Sequence, residues 1–180
     1  MRAILHCDLN NFFASVEMLT KPELRNVPMA VSGDPNKRHG IILAKNQIAR
    51  KYGIYTPETV YSALRKCPKL VLVRPHYEEY VKYSKLVNKI YQKYTDRVEK
   101  FSIDESFLDV TESISIFGTP YEIAYKIKEE VKSKYNLTIS VGVSFNKTFA
   151  KLGSDLKKPD AITVLDYENY KEKIYDLPVN

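Results

Sequence analysis

Phe101-Ser102-Ile103-Asp104-Glu105-Ser106-Phe107-Leu108-Asp109 is the stretch that decides the fold. Residues 97–103 and 106–110 read as two strands joined at Asp104-Glu105, without the Asn-Gly or Asp-Gly pair of a tight hairpin. Near the start, Ala3-Ile4-Leu5-His6-Cys7-Asp8 is a third apolar run closed by an acid. A carboxylate at the end of a buried strand is costly unless a cation neutralises it. Taken singly, Asp8 reads as a helix cap, and Asp104-Glu105 as a hairpin turn. Taken together, and if they converge, the three carboxylates call for a divalent metal and with it phosphate chemistry.

The order of the remaining elements bears on that convergence. A helix capped by Asn10 or Asn11 is expected to about residue 19, carrying Phe12, Phe13 and Val16. Neighbours on a helix diverge by about 100°, so one of the two phenylalanines should face a groove. Residues 28–32 and a segment ending at Leu43 make a hairpin with a basic tip. Helices over 46–52 (stopped by Gly53) and 57–66 (stopped before Pro68) precede a short strand at 70–73. Helices follow at 78–94, 121–135, 146–156 and 167–175, the last stopping at Leu177-Pro178. Strands occupy 138–143 and 162–165.

With residues 10–75 set aside as an insertion, strand, helix, strand, strand, helix, strand remain, which is the split βαβ, ferredoxin-like order. Its first two strands run parallel and the third returns between them. The end of the first strand therefore shares an edge with the turn between the second and third. That arithmetic brings Asp8 to Asp104 and Glu105. The fold class is α+β, a ferredoxin-like βαββαβ unit with an inserted small α/β subdomain.

The 180 residues are 44% hydrophobic and 28% charged, ordinary for a globular domain. Lys and Arg number 28 against 22 Asp and Glu, a net +6 that favours a polyanionic partner. The excess clusters at 34–53 and 146–158. Cys7 and Cys67 lack metal or redox spacing, which fits reduced thiols in a cytosolic protein. Neither a signal-peptide pattern nor a membrane-span pattern is found. His6, His39 and His76 lack ligand spacing.

Asp8-Leu9-Asn10-Asn11-Phe12-Phe13-Ala14-Ser15-Val16-Glu17 resembles the opening motif of the Y-family translesion DNA polymerases. Residues 102–109 are similar to that family's second metal motif, and 46–53, 141–151 and 157–159 to three more, in matching order along nearly the whole chain. The resemblance implies a palm from residues 1–9 and 77–166, fingers from 10–76, and the start of a truncated thumb at 167–180. By the same likeness, Asp8, Asp104 and Glu105 with the Leu9 carbonyl would hold two Mg²⁺ ions, Mn²⁺ being a possible substitute. Asn11, Phe12, Phe13, Gln47, Arg50 and Lys158 would bind the deoxynucleoside triphosphate, with Phe13 as the steric gate against a 2′-hydroxyl.

The implied function is template-directed DNA synthesis past lesions, in DNA repair and damage tolerance, by a nucleotidyltransferase. It would act as a monomer on primer-template DNA in the bacterial cytoplasm, associated with the nucleoid and with no membrane. A sliding clamp is expected only for the intact protein. Asn10 replaces a common aspartate, Gln47 a common tyrosine, and Asp160-Ala161 a common Asn-Gly. Family members continue into a thumb and little finger, which are absent from this chain, so it is expected to be weakly active or inactive alone. The alternatives are a palm-fold nucleotidyl cyclase and a non-catalytic fragment that binds DNA or a partner.

Overall fold

The computed structural model describes residues 2–34 and 40–175. In chain order the strands are β1 (Ile4–Leu9), β2 (Met29–Ser32), β3 (Ile42–Lys45), β4 (Val71–Val73), β5 (Val98–Lys100), β6 (Glu105–Asp109), β7 (Ile139–Ser144) and β8 (Ile162–Leu165). The helices are α1 (Phe12–Thr20), α2 (Gln47–Lys51), α3 (Val60–Lys66), α4 (Tyr77–Tyr94), α5 (Ile114–Phe117), α6 (Pro120–Tyr135), α7 (Lys147–Leu156) and α8 (Tyr170–Ile174), with a 3-10 turn at Pro22–Asn26. By its internal contacts the chain divides into two compact units, Met1–Asn10 with Ser84–Asn180, and Asn11–Tyr83.

The first unit is built on a five-stranded sheet in the order β5-β6-β1-β7-β8. β1 is antiparallel to both β6 and β7, and β5 is antiparallel to β6. β1 and β5 therefore run the same way with β6 between them, as the split βαβ order requires. β8 extends the sheet parallel to β7, the crossover being α7. All six β1 residues are buried, because side chains alternate between two covered faces. Ile4 packs with Phe107 and Ala150, His6 reaches Ser154 of α7, and Cys7 meets Tyr91 of α4 on the other face.

α7 packs on β7, β1 and β8, and at Gly142 the two backbones touch. A Cβ there would sit 1.8 Å from the Ala150 carbonyl oxygen and 2.5 Å from the Ser154 nitrogen, so only glycine fits. α6 begins with a full capping box. Thr119 accepts from the Glu122 N–H while the Glu122 carboxylate accepts from the Thr119 N–H, with Pro120 in the first turn. Glu130 on α6 gathers Lys93 and Tyr94 of α4 together with Lys134.

The second unit has a three-stranded sheet, β3-β2-β4, with β2 antiparallel to β3 and parallel to β4. Ala30, Ile42, Ala49, Ile54, Val60 and Ala63 form one cluster, and Ala14, Leu24, Met29, Val31 and Val73 another. Asn46 caps α2 by accepting from the Ala49 N–H, and its amide donates to the carbonyls of Val27 and Leu24.

Several boundaries differ from the sequence reading. Glu105 is not a turn residue but the first residue of β6. Ser102 closes the turn instead, accepting from the Glu105 N–H and donating to Asp104, which does the work of an Asn-Gly pair. α3 starts at Val60 and not at Pro57, because Thr59 accepts from the Ser62 N–H. α1 has Asn11 at its N-cap position, but in a left-handed conformation (φ 47°) with no side-chain cap. α8 starts at Tyr170, since Asp166 accepts from the N–H groups of Glu168 and Asn169. α5 and the 3-10 turn are too short to show a period. The hairpin tip at 35–39 and the Leu177-Pro178 stop lie outside the described residues.

Replacing Gly142 by Ala should force α7 off the sheet and cost at least about 3 kcal/mol, read from urea unfolding. Burial works to raise the Glu130 pKa, but the bonds from Lys134, Lys93 and Tyr94 outweigh it and hold the carboxyl at about 2. A depressed carboxyl adds stability that is present above the unfolded value and lost as pH falls through the folded one. Glu130→Gln should therefore cost about 1 kcal/mol near neutral pH. The deficit should shrink as pH falls from about 4 toward 2, which urea midpoints across that range would show.

Candidate active site

The three acids of the first unit meet through backbone register. Asp8 lies directly across from Glu105 in the β1–β6 pairing, and the Leu9 N–H donates to the Asp104 carbonyl at 3.1 Å. Antiparallel neighbours at such a position have Cβ atoms about 4.5–5.5 Å apart. Asp8 is 8% exposed, while Asp104 and Glu105 are half-buried. The Asp8 carboxyl is pushed up to about 6, first by burial, against the pull of Lys158, and further by the like charges of Asp104 and Glu105.

Each of two acids already has an ammonium partner. Lys158 donates to Asp8 at 2.5 Å and also contacts Asp155 at 2.7 Å. Burial opposes its charge, yet the bonds to Asp155 and Asp8 outweigh that and raise its pKa. Lys151 bonds Glu105. Burial raises the Glu105 carboxyl, but Lys151, His6 and Ser102 together bring it below its usual range. Among the described residues, no three His, Cys, Asp or Glu side chains are grouped to hold a metal ion as they stand. Chain order thus brings the backbones together, while the carboxylate tips are turned to lysines. In kind the donors fit a hard divalent cation, because they are carboxylate oxygens that repel one another and are already being neutralised by cations.

Three further groups surround this centre, and the sequence reading gave none of them a role. His6 is fully buried with Nδ1 2.8 Å from Ser154 Oγ and Nε2 3.5 Å from Glu105. Burial and then Lys151 lower its pKa to about 4, so the ring is neutral near pH 7. Tyr91 is buried beside Cys7, and burial followed by Cys7, Asp8 and Asp104 holds its hydroxyl protonated. Lys151 sits in the NKTFAK segment on α7, but only its pairing with Glu105 distinguishes it from the other lysines there.

The departures at Asn10 and Asp160 belong together. The Asn10 amide donates to Ser140 and its carbonyl accepts from the Asp160 N–H, both at 2.8 Å. Asp160 has φ 56°, the left-handed region that suits Asn or Gly. Lys128 and Lys132 bond its carboxylate at 2.8 and 3.2 Å and hold it there.

The second unit holds the remaining candidates. Phe12 is 3% exposed in the core and Phe13 is half-buried, yet the two ring centroids are 5.8 Å apart and both rings meet Tyr80. Phe13 stacks on Tyr80 with centroids 4.2 Å apart and planes 9° apart, and Tyr77 meets it edge-on. The fully buried Tyr80 donates to Glu17 at 2.5 Å, and His76 Nδ1 lies 2.9 Å from the same carboxylate. Glu17 is four residues after Phe13, on the same helix face, so an acid on a buried face was the available signal. Asn11 and Phe12 stand at the start of α1, where no side chain caps the helix. Gln47 and Arg50 are both exposed on α2, three residues apart. Arg50 acts on the neighbouring Lys45, whose pKa is lowered by burial and then by that charge.

Residues 7–155 match the impB/mucB/samB family. The DNA polymerase IV of Acetivibrio thermocellus is 57% identical over 178 residues, 99% of this chain and 45% of that protein. That of Clostridium perfringens is 43% identical, again over 99% of this chain and 49% of the relative. Among solved structures, an insertion ternary complex of Dbh DNA polymerase superposes with a TM-score of 0.91 at 29% identity, covering 98% of this chain and 52% of that one. The chain belongs to the impB/mucB/samB family, and its architecture is that of the palm and fingers region of Y-family DNA polymerases. It spans about half the length of the curated relatives it matches.

Removing the Lys158 ammonium leaves a buried carboxylate without its partner. Lys158→Met should destabilise the protein in chelator by about 2 kcal/mol. The loss should largely vanish in an Asp8→Asn background, because a double-mutant cycle isolates that pair.

Proposed function

We propose that this chain forms the palm and fingers of a translesion DNA-directed DNA polymerase, adding deoxynucleotides to a primer 3′-hydroxyl. One observation carries the reading: Asp8 opposite Glu105, with Asp104 hydrogen-bonded through its carbonyl to Leu9. Relatives named DNA polymerase IV support it. On this reading the unit of residues 1–9 and 77–166 is the palm, residues 10–76 are the fingers, and 167–180 begin a thumb.

Asp8, Asp104 and Glu105, with the Leu9 carbonyl, would hold two Mg²⁺ ions, or Mn²⁺ in their place. Such ions supply Lewis-acid stabilisation of the attacking and leaving oxygens in an in-line displacement. The chain's own contribution is positioning and charge. The β1–β6 register sets the carboxylates at one sheet end. Lys158 and Arg50 would neutralise the triphosphate, and the uncapped start of α1 at Asn11 and Phe12 would offer N–H groups to it. Gln47 would add a polar contact. Phe13, backed by Tyr80, would lie under the sugar and exclude a 2′-hydroxyl. Tyr80 is in turn held by Glu17, so the rigidity of the gate would come from a buried carboxylate two side chains away.

The substrates would be primer-template DNA and a deoxynucleoside triphosphate, handled by a monomer in the bacterial cytoplasm and nucleoid, with a sliding clamp engaged by the intact protein. Among the described residues no helix is long and apolar enough to cross a membrane.

Two measurements test the reading. Mn²⁺ with a deoxynucleoside triphosphate should raise the melting temperature of this chain, and Asp8→Ala and Glu105→Ala should each abolish the shift. Primer extension by the intact protein should fall by about two orders of magnitude or more in the same variants. Undiminished extension in both would overturn the site. Phe13→Ala should raise ribonucleotide insertion, and unchanged sugar selectivity would remove Phe13 from its role.

A further inference from the structure

Lys158 has two carboxylates within reach, and they are not equivalent. Asp155 is exposed and only three residues earlier, at the end of α7, so the ammonium meets it through local chain geometry. Asp8 is 150 positions away in β1. Lys158 reaches it only if the segment that carries the lysine is held in place. That segment is the connection of residues 157–161 between α7 and β8.

Asp160 ties this connection to three elements. Its N–H donates to the side-chain carbonyl of the buried Asn10 at 2.8 Å, and the Asn10 amide is itself held by Ser140 of β7. One residue on, the Ala161 carbonyl accepts from the Val141 N–H at 2.8 Å. The Asp160 side chain adds the tie to α6. One carboxylate oxygen accepts from Lys128 at 2.8 Å and the other from Lys132 at 3.2 Å, four residues apart on one helix face. The Lys128 side chain is 13% exposed, and Asp160 is nearer to it than Glu129 at 3.4 Å. Burial works to raise the Asp160 pKa, but the two lysines outweigh it and lower it, so the carboxylate stays charged. Asparagine or glycine would take the φ of 56° as readily, so what the carboxylate adds is the pair of ammonium bonds. Behind them α6 is a firm base, with Ile123, Ile127 and Val131 buried.

We propose that Asp160 is a positioning residue: clamped to α6 by Lys128 and Lys132, it holds the 157–161 connection so that Lys158 is aimed at Asp8 and not left with Asp155 alone. A second consequence rests on the polymerase reading, where the same clamp aims Lys158 at the triphosphate. Lys128 and Lys132 thereby act on the carboxylate centre through the loop.

Two arms test this, the first without any nucleotide. In chelator, the coupling between Lys158 and Asp8 is read by urea unfolding from the cycle of Lys158→Met and Asp8→Asn, in the parent and in an Asp160→Asn background. Asparagine keeps the left-handed φ and the N–H to Asn10 and loses only the ammonium bonds. The coupling should fall by about half or more. Lys128→Met/Lys132→Met breaks the clamp from the other side and should give the same loss. Unchanged coupling in both backgrounds overturns the proposal. The second arm is the deoxynucleoside triphosphate concentration needed for the Mn²⁺-dependent melting shift, each variant read against its own metal-free melting temperature. Asp160→Asn should raise it about tenfold, as expected for the loss of one charge-assisted hydrogen bond. The sign is diagnostic, because deleting an acid near an anion site tightens binding on charge grounds alone. Lys128→Met/Lys132→Met should raise it by a similar factor, and adding Asp160→Asn to that pair should change nothing further. Additive losses, or binding by Asp160→Asn as tight as the parent's, would overturn the second consequence. If the parent shows no shift, the polymerase reading fails, and the chelator arm still decides whether Asp160 positions Lys158.

Discussion

The pairing of β1 with β6 on one side and β7 on the other is the constraint on which the first unit depends. It buries every β1 residue and so leaves Asp8 in a place where its charge is costly. The same register sets Glu105 opposite Asp8 and ties Leu9 to Asp104. Burial and like charge then act together, and cations resolve the conflict. Lys158 and Lys151 already play that part, each from α7 or the loop that follows it. The close approach of α7 at Gly142 is therefore not only a packing detail, because it delivers Lys151 to Glu105 and Ser154 to His6.

The second unit solves a related problem with different groups. A buried acid, Glu17, is answered by a tyrosine hydroxyl and a histidine instead of an ammonium group. The result is a fixed Tyr80 ring on which Phe13 lies flat. Stacking on a hydrogen-bonded neighbour stiffens the Phe13 side chain. Glu58, the one acid of residues 40–75, is likewise buried and paired with Lys66, while Tyr52, Tyr55 and Tyr61 stay exposed.

Much of the first unit was legible in the sequence because its signals are local. The apolar runs ending in acids marked β1 and β6, and the ferredoxin-like order followed from counting elements. Periodicity marked α4, α6 and α7 to within a residue or two. Short elements escaped it, as α5 and the 3-10 turn show, because four or five residues carry no period. The turn was placed at 104–105, but it occupies 101–104, because a serine side chain and not a glycine closes it.

What the sequence determined by itself was the identity of the chemical groups and their order: three carboxylates at strand ends, paired phenylalanines, and basic residues in two clusters. Which group answers which charge was decided only by tertiary structure. Lys158 on Asp8 spans 150 positions, Lys151 on Glu105 spans 46, and Tyr80 on Glu17 spans 63. Separations of that size leave no local pattern, since the partner is chosen by where packed elements deliver a side chain. The cost of a buried charge explains why each of these acids has to find such a partner.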